Sequence, residues 1–197
     1  MRLKISSCPH LQSDLDTPYI MKQVIIALLP VAAAAGYFFG SGAILLILNC
    51  ILSSIITEGV ILKMRKKVLA IGDYSAVLTG LLLALTLPPS TSWYAACIGS
   101  VVAIGVGKHV FGGLGSNIFN PALIGRAFLM AAYPKMLTTF ALPRNILILA
   151  GTTKIDAVST ATPLSLIKFS QETTSVIDLF IGKVSGSLGE TLSLIHI

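Results

Sequence analysis

The sequence is short of charge. Of its 197 residues only 11% are Asp, Glu, Lys or Arg, while 54% are hydrophobic; soluble domains carry about 25% charged residues. A chain with a mean hydropathy of +0.87 cannot cover itself with polar surface. That excludes the ordinary soluble classes and points to an integral membrane protein. Cysteine is scarce too. Cys8, Cys50 and Cys97 lie far apart and form no CxxC pair, which argues against an iron–sulfur or zinc centre made by this chain alone. Cys50 and Cys97 sit in apolar runs and read as packing residues. A dinucleotide fingerprint is missing as well: Gly113-Leu114-Gly115 is followed by Ser116, Asn117 and Ile118, with no third glycine in place and no strand before it. There is no repeat of fixed period and no low-complexity tail. Met1 to Tyr19 is polar and lacks the apolar core of a signal peptide.

What charge there is sits in telling places. The net charge of +6 suits nucleic acid by its size but not by its distribution, because the cations cluster at the ends of apolar runs. We therefore expect a membrane-lipid environment and no nucleic-acid partner. Two runs, about Gln23–Phe39 and Ala43–Leu62, approach the roughly 20 residues that cross a hydrocarbon core. Gly36, Gly40 and Gly42 mark the hairpin between them. Glu58, near the end of the second run, reads as a headgroup-zone residue paired with nearby cations. The run "KMRKK" from Lys63 to Lys67 is the strongest orientation signal and places that loop, and hence the N-terminus, in the cytoplasm.

A third run, Val68–Leu87, contains Gly72-Asp73 and stops at Pro88-Pro89. A helix capped by Asp73 would be short for a full crossing. A fourth, Trp93–Gly107, ends at Lys108-His109, which reads as a return to the cytoplasm. A glycine-rich break leads to a short run, Ala122–Tyr133, with Arg126 inside it. "NILILAG" is too short to span and reads as a strand or interfacial piece. The expected fold is an all-α, multi-span helical bundle with broken or short helices. Residues 1–22 form a cytoplasmic segment, 23–134 a membrane domain of about five spans, 135–185 an extramembrane loop region, and 186–197 the start of a further membrane region, cut short at "LSLIHI".

Three places could carry chemistry. Asp73 is ionisable at a membrane segment, so it belongs either to an ion path or to a helix cap. In "GGLGSNIFNPA", Gly112, Gly113 and Gly115 permit positive φ and close backbone approach. Asn120-Pro121 opens a helix with an N-cap and a proline at N1. A helix N-terminus at membrane depth can hold an anion, an ion or a ring system, as half-helices in transporters do; the plain alternative is a tight turn. The third place is "DAVSTATPLSL", Asp156 to Leu166. Small residues surround Ser159 and Thr162, and Pro163 stops any helix there. Thr162 reads either as an acceptor for modification or as part of a loop capping the next helix.

Taken together these stretches resemble a known family. "DAVSTAT" is similar to the D-x-x-S-x-A-T pattern on which a flavin transferase attaches FMN to the last threonine. "KHVFGGLGSNIFNPALIGRAF", "GDYSAVLTGLLLALTLPP" and "GKVSGSLGET" resemble the D subunit of the Rnf electron-transport complex and the related B subunit of the sodium-translocating NADH:quinone reductase. The resemblance runs from Pro9 to Thr191. It implies a membrane subunit of an ion-pumping complex that passes electrons between ferredoxin and NAD, active only with its partner subunits. It implies FMN held covalently on Thr162, with Asp156, Ser159 and Ala161 in the recognition pattern, and leaves room for a second, non-covalent flavin near the glycine-rich loop. It also implies a bacterial inner-membrane location with Thr162 on the outer face. Thr160 stands where that family usually has glycine, and the family continues beyond "GSLGET". Two rival readings remain: a small-solute channel built on the Asn120-Pro121-Ala122 half-helix, and a structural membrane subunit with Thr162 unmodified.

Overall fold

The computed structural model describes residues 16–66, 71–141, 159–160, 168 and 184–189. Helix α1 (Thr17–Phe39) and helix α2 (Ser41–Met64) are the two long apolar helices. At 1.5 Å per residue each is about 35 Å long, enough for a hydrocarbon core. α1 starts six residues before the apolar run does, since Asp16 and Pro18 supply an extended N-cap position and an early proline. Only Gly40, at φ 79°, separates the two helices. Its N–H donates to the Gly36 carbonyl, closing the turn.

Next come a 3-10 turn (Ile71–Asp73), α3 (Ser75–Thr86) and α4 (Trp93–Val102). α4 runs without a break into a seven-residue π segment, Ala103–His109. α5 (Pro121–Ala132) follows the glycine-rich turn, then the short α6 (Pro134–Thr138). A two-residue strand β1 (Phe140–Ala141) pairs antiparallel with β2 (Ser159–Thr160). "NILILAG" lies outside the described residues, as do Met1–Leu15, Cys8 and the chain end.

Contacts along the helices show that they alternate in direction. On α2, Gly36 meets Ile44, Gly80 meets Cys50 and Ser54, and Lys108 meets Glu58. Asn49 Nδ2 donates to the Trp93 carbonyl, 2.9 Å, near the opposite end of α2. α1 and α3 are thus antiparallel to α2, and α4 with its π segment runs parallel to it. α5 returns against α4, with Leu129 at Gly99 and Pro121 at Gly107. Small residues permit this packing. A Cβ on Gly80 would lie 2.7 Å from the Cys50 carbonyl oxygen, and one on Gly125 2.7 Å from that of Gly99. Backbones that close are common between membrane helices, where packing replaces the hydrophobic effect.

The core is a set of small and medium apolar residues, including Ala35, Leu46, Cys50, Leu83, Ala96, Ala103 and Leu129. The outer face of α2 carries Leu45, Leu48, Leu52, Ile56 and Val60, all exposed. Their spacing of three to four residues makes one apolar stripe, the surface a lipid or partner helix covers. The bundle therefore has two ends. One holds the start of α3, Lys63–Lys66, the π segment and the glycine-rich turn. The other holds Gly40, Pro88–Ser92, α6 and β1. Residues 184–189 dock at this second end, where Leu188 and Gly189 N–H groups donate to the Leu87 and Leu85 carbonyls at 3.1 and 2.8 Å.

Candidate functional site

The first end contains a buried charge cluster that the sequence concealed. Glu58 and Lys108 stand 50 residues apart and are each 2% exposed. Lys108 Nζ donates to Glu58 Oε1 at 2.5 Å. It also donates to Ser75 Oγ, whose hydroxyl donates to Asp73 Oδ1 at 2.9 Å. Asp73 Oδ2 is 4.0 Å from the same ammonium. Three oxygens, Glu58 Oε1, Ser75 Oγ and Asp73 Oδ2, thus face one cation. The other Glu58 oxygen, Oε2, is buried and has no hydrogen-bond partner among the described residues.

Local structure explains how these groups meet. α2 delivers Glu58 on its inner face. Asp73 Oδ1 also accepts from the Ser75 N–H, 3.0 Å, and so holds the first turn of α3. Tyr74 takes the left-handed conformation at φ 58° to allow it. A π segment widens the helix and re-aims the residues that follow; such insertions recur at functional sites. Here it ends at His109 and turns Lys108 inward. One expectation is corrected: Glu58 lies inside the bundle, paired with Lys108, rather than in the headgroup zone. Lys108 and His109 are buried, at the same end of the bundle as Lys63–Lys66.

Asp73 therefore serves both as a helix-starting acceptor and as a member of a charge cluster. The glycine-rich turn has the backbone expected of it: Gly112, Gly113 and Gly115 have φ of 117°, 111° and 89°. Gly113 N–H donates to the Lys108 carbonyl at 3.0 Å, closing the end of the π segment. Asn120 Oδ1 accepts from the Ala122 N–H, 3.0 Å, and caps α5. Its oxygen is committed to its own helix. Arg126 is half-buried on α5.

The second end carries a cleft of about 510 Å³ lined by Ser90, Ala132, Tyr133, Pro134, Lys135, Met136 and Thr139. That volume is within the usual range for organic ligands, about 300–1,000 Å³. α6 and the Pro88–Ser92 turn form its walls. Ser90 Oγ donates to the Thr139 carbonyl at 2.8 Å, and Ser92 Oγ lies 3.4 Å from Met136 Sδ. Tyr133 meets Tyr94 edge to face, with centroids 6.2 Å apart. Thr139 is followed directly by β1, so the β1–β2 ladder starts at the cleft rim. Its register pairs Phe140 with Thr160 and Ala141 with Ser159. Asp156, Ala161 and Thr162 lie outside the described residues, and Ser159 is described only by its backbone.

These features define a helical membrane protein with an ionic cluster buried at one end of its bundle and an open cleft at the other. The chain belongs to the NQR2, RnfD, RnfE family, whose profile matches residues 4–197. A relative from Acetobacterium woodii, the D subunit of a Na(+)-translocating ferredoxin:NAD(+) oxidoreductase complex, is 45% identical over 98% of this chain and 59% of the relative. The D subunit of the Clostridium ljungdahlii proton-translocating ferredoxin:NAD(+) oxidoreductase complex is 41% identical over 97% of this chain and 59% of the relative. In Aliivibrio salmonicida the D subunit of an ion-translocating oxidoreductase complex is 42% identical over 80% of this chain and 45% of the relative. The chain thus spans about half to three-fifths of the length of these curated relatives.

Proposed function

We propose that this chain belongs to a D-type membrane subunit that relays electrons through FMN bound covalently to Thr162. The subunit works in a complex that moves electrons between ferredoxin and NAD and couples the transfer to sodium or proton transport. Its partners are the other subunits of that complex, the surrounding lipid, and a flavin transferase during maturation. Family membership and the names of the relatives support the complex. The observation that carries the flavin site is the β1–β2 pairing. It brings Ser159 and Thr160, inside the D-x-x-S-x-A-T pattern, to the rim of the 510 Å³ cleft. Thr162 follows Thr160 by two residues, a reach of about 7 Å for extended chain.

The cleft residues fit the group. Tyr133, Met136 and Pro134 offer apolar walls for a flat ring system. Lys135 supplies a cation, and the hydroxyls of Ser90 and Thr139 are polar handles at the mouth. FMN, when bound, supplies both one- and two-electron transfer, so it can join one-electron carriers to a two-electron acceptor. A phosphoester keeps a soluble cofactor at high local concentration in an open cleft. The protein's task is to orient the ring and to limit water around it. A second, non-covalent flavin would bind at the other end, in the Gly112–Asn120 turn, beside exposed Ile118 and Phe119.

We place Thr162 on the outer face of a bacterial inner membrane. α1 to α5 alternate in direction, which supports five crossings. The β1–β2 ladder is at the end opposite Lys63–Lys66, the cationic end that the positive-inside rule assigns to the cytoplasm. The flavin claim has a direct test. The complete subunit, co-expressed with the flavin transferase, is run on a denaturing gel. A fluorescent band that disappears in Thr162→Ala is the expected result. A dark band from the wild-type subunit in the presence of active transferase sinks the covalent-flavin reading.

A further inference from the structure

We propose that Arg126, with Leu123 and Met130 beside it on α5, binds an anionic phospholipid of the cytoplasmic leaflet through its headgroup phosphate. Arg126 places a guanidinium, half-buried, inside a helix of the membrane bundle. Among the described residues no ion pair or side-chain hydrogen bond holds it; the acids Glu58 and Asp73 face Lys108. A charged side chain in a membrane helix is costly without a counter-charge, so an anion from outside the described bundle completes it. Position narrows the choice. Residues three and four apart on a helix are neighbours on one face. At those spacings from Arg126 stand Leu123 and Met130, 54% and 47% exposed. Gly125 and Leu129 turn the other way and pack on α4 at Gly99. Leu123, Arg126 and Met130 therefore form a row along the rim of the bundle.

Depth and charge select a lipid over a partner helix. Arg126 lies five residues past Pro121, about 7.5 Å along the axis. Helical side chains lean toward the N-terminus of their own helix. A long arginine stem stays among apolar groups while its head moves toward water. The guanidinium thus reaches the level of the first turn of α5, at the end of the bundle with exposed Lys63, Arg65 and Lys66. That end faces the cytoplasmic leaflet by the positive-inside rule, where anionic headgroups bind basic sites between helices. A planar guanidinium donates two parallel N–H groups to a phosphate, a geometry an ammonium lacks. Leu123 and Met130 supply apolar surface for the acyl chains. A partner helix would set its acid between Leu123 and Met130 at the depth of the Arg126 backbone. The lean of the side chain carries the guanidinium away from there.

The inference rests on the bundle orientation argued above and is independent of the flavin. Its test uses the assembled complex with Leu123 replaced by the photo-crosslinker p-benzoylphenylalanine. The complex is reconstituted into vesicles of equal parts phosphatidylglycerol and phosphatidylethanolamine and irradiated, and the adducts on this subunit are weighed by mass spectrometry. Phosphatidylglycerol adducts should exceed phosphatidylethanolamine adducts by about fivefold. Arg126→Gln should bring the two to parity, and Lys66→Gln should leave the preference in place. The same crosslinker at Leu52, on the outer stripe of α2, should capture both lipids equally. Equal capture at Leu123 overturns the proposal. So does a preference that survives Arg126→Gln, or one that falls as far in Lys66→Gln. If Arg126→Gln does not assemble, the comparison of Leu123 with Leu52 decides, and an equal preference at both positions overturns the site. An adduct with another subunit in place of lipid identifies a partner helix and overturns it as well. A dark Thr162 band beside a lipid preference at Leu123 removes the flavin and leaves the lipid site standing.

Discussion

At the scale of single residues, the arrangement around Asp73 separates two roles that sequence alone leaves merged. Its Oδ1 accepts from both the Ser75 N–H and the Ser75 hydroxyl, so it fixes the start of α3. Its Oδ2 faces the Lys108 ammonium at 4.0 Å, so it also contributes charge. Asp73→Asn keeps the carbonyl acceptor and removes the charge. We expect stability within about 0.5 kcal/mol of wild type, as for an acceptor-preserving change near a surface, but ion transport in membrane vesicles should lose most of its rate. Full transport by Asp73→Asn would reduce this residue to a helix cap. Gly80 tests packing at the same scale. A Cβ there would lie 2.7 Å from the Cys50 carbonyl oxygen and 2.8 Å from the Ile51 Cα, both backbone atoms that cannot yield cheaply. Gly80→Val should cost about 1–3 kcal/mol or more by overpacking, read as a lower membrane abundance of the subunit and an earlier thermal loss.

At the scale of elements, the π segment is the device that turns Lys108 inward. One residue beyond a regular helix rotates everything after it by about 100°. Deleting Val106, which is 47% exposed and packs little, should restore regular winding and swing Lys108 off Glu58. Breaking a buried ion pair costs about 3–5 kcal/mol, so the deletion should abolish stable insertion, whereas Val106→Ala should be nearly silent. Pulse-chase lifetime of the subunit in membranes distinguishes the two. The sequence showed some of these elements and hid others, for physical reasons. The two long helices were legible because span length is a composition signal. Asn120-Pro121 and the three glycines were legible because caps and positive φ are local chemistry. The Glu58–Lys108 pair was not: each residue stands near the end of an apolar run, where a charge ordinarily meets water, and the pairing spans 50 residues. The π segment was hidden because it depends on tertiary contacts, such as Gly107 against Pro121, and changes no residue pattern. The cleft was hidden for the same reason, since its walls come from two turns far apart in the chain, at Ser90 and at Tyr133–Thr139.

At the scale of the whole molecule, the ionic cluster and the cleft stand at opposite ends of one bundle. The Glu58–Lys108 pair lies at the Lys63–Lys66 end, and the cleft with the β1–β2 ladder at the other. α3 links them: Ser75 at its start touches Lys108, and four residues past its end Ser90 lines the cleft. Its 12 residues span about 18 Å, so a shift of this helix would be felt at both sites. The geometry makes the orientation testable with single cysteines. In a background where Cys8, Cys50 and Cys97 are replaced, one cysteine is placed at Lys66 and another, in a separate variant, at Thr160. An impermeant maleimide added to intact cells should label Thr160→Cys and spare Lys66→Cys, and permeabilised cells should allow both. Five alternating crossings require this opposition, because β2 is paired at the end away from Lys66. Labelling of both variants from outside, or of neither, would mean that the short α5 does not complete a crossing. The Thr162 pattern would then share a compartment with the cationic loop, and the outer-face flavin would have to be abandoned even with the covalent link intact.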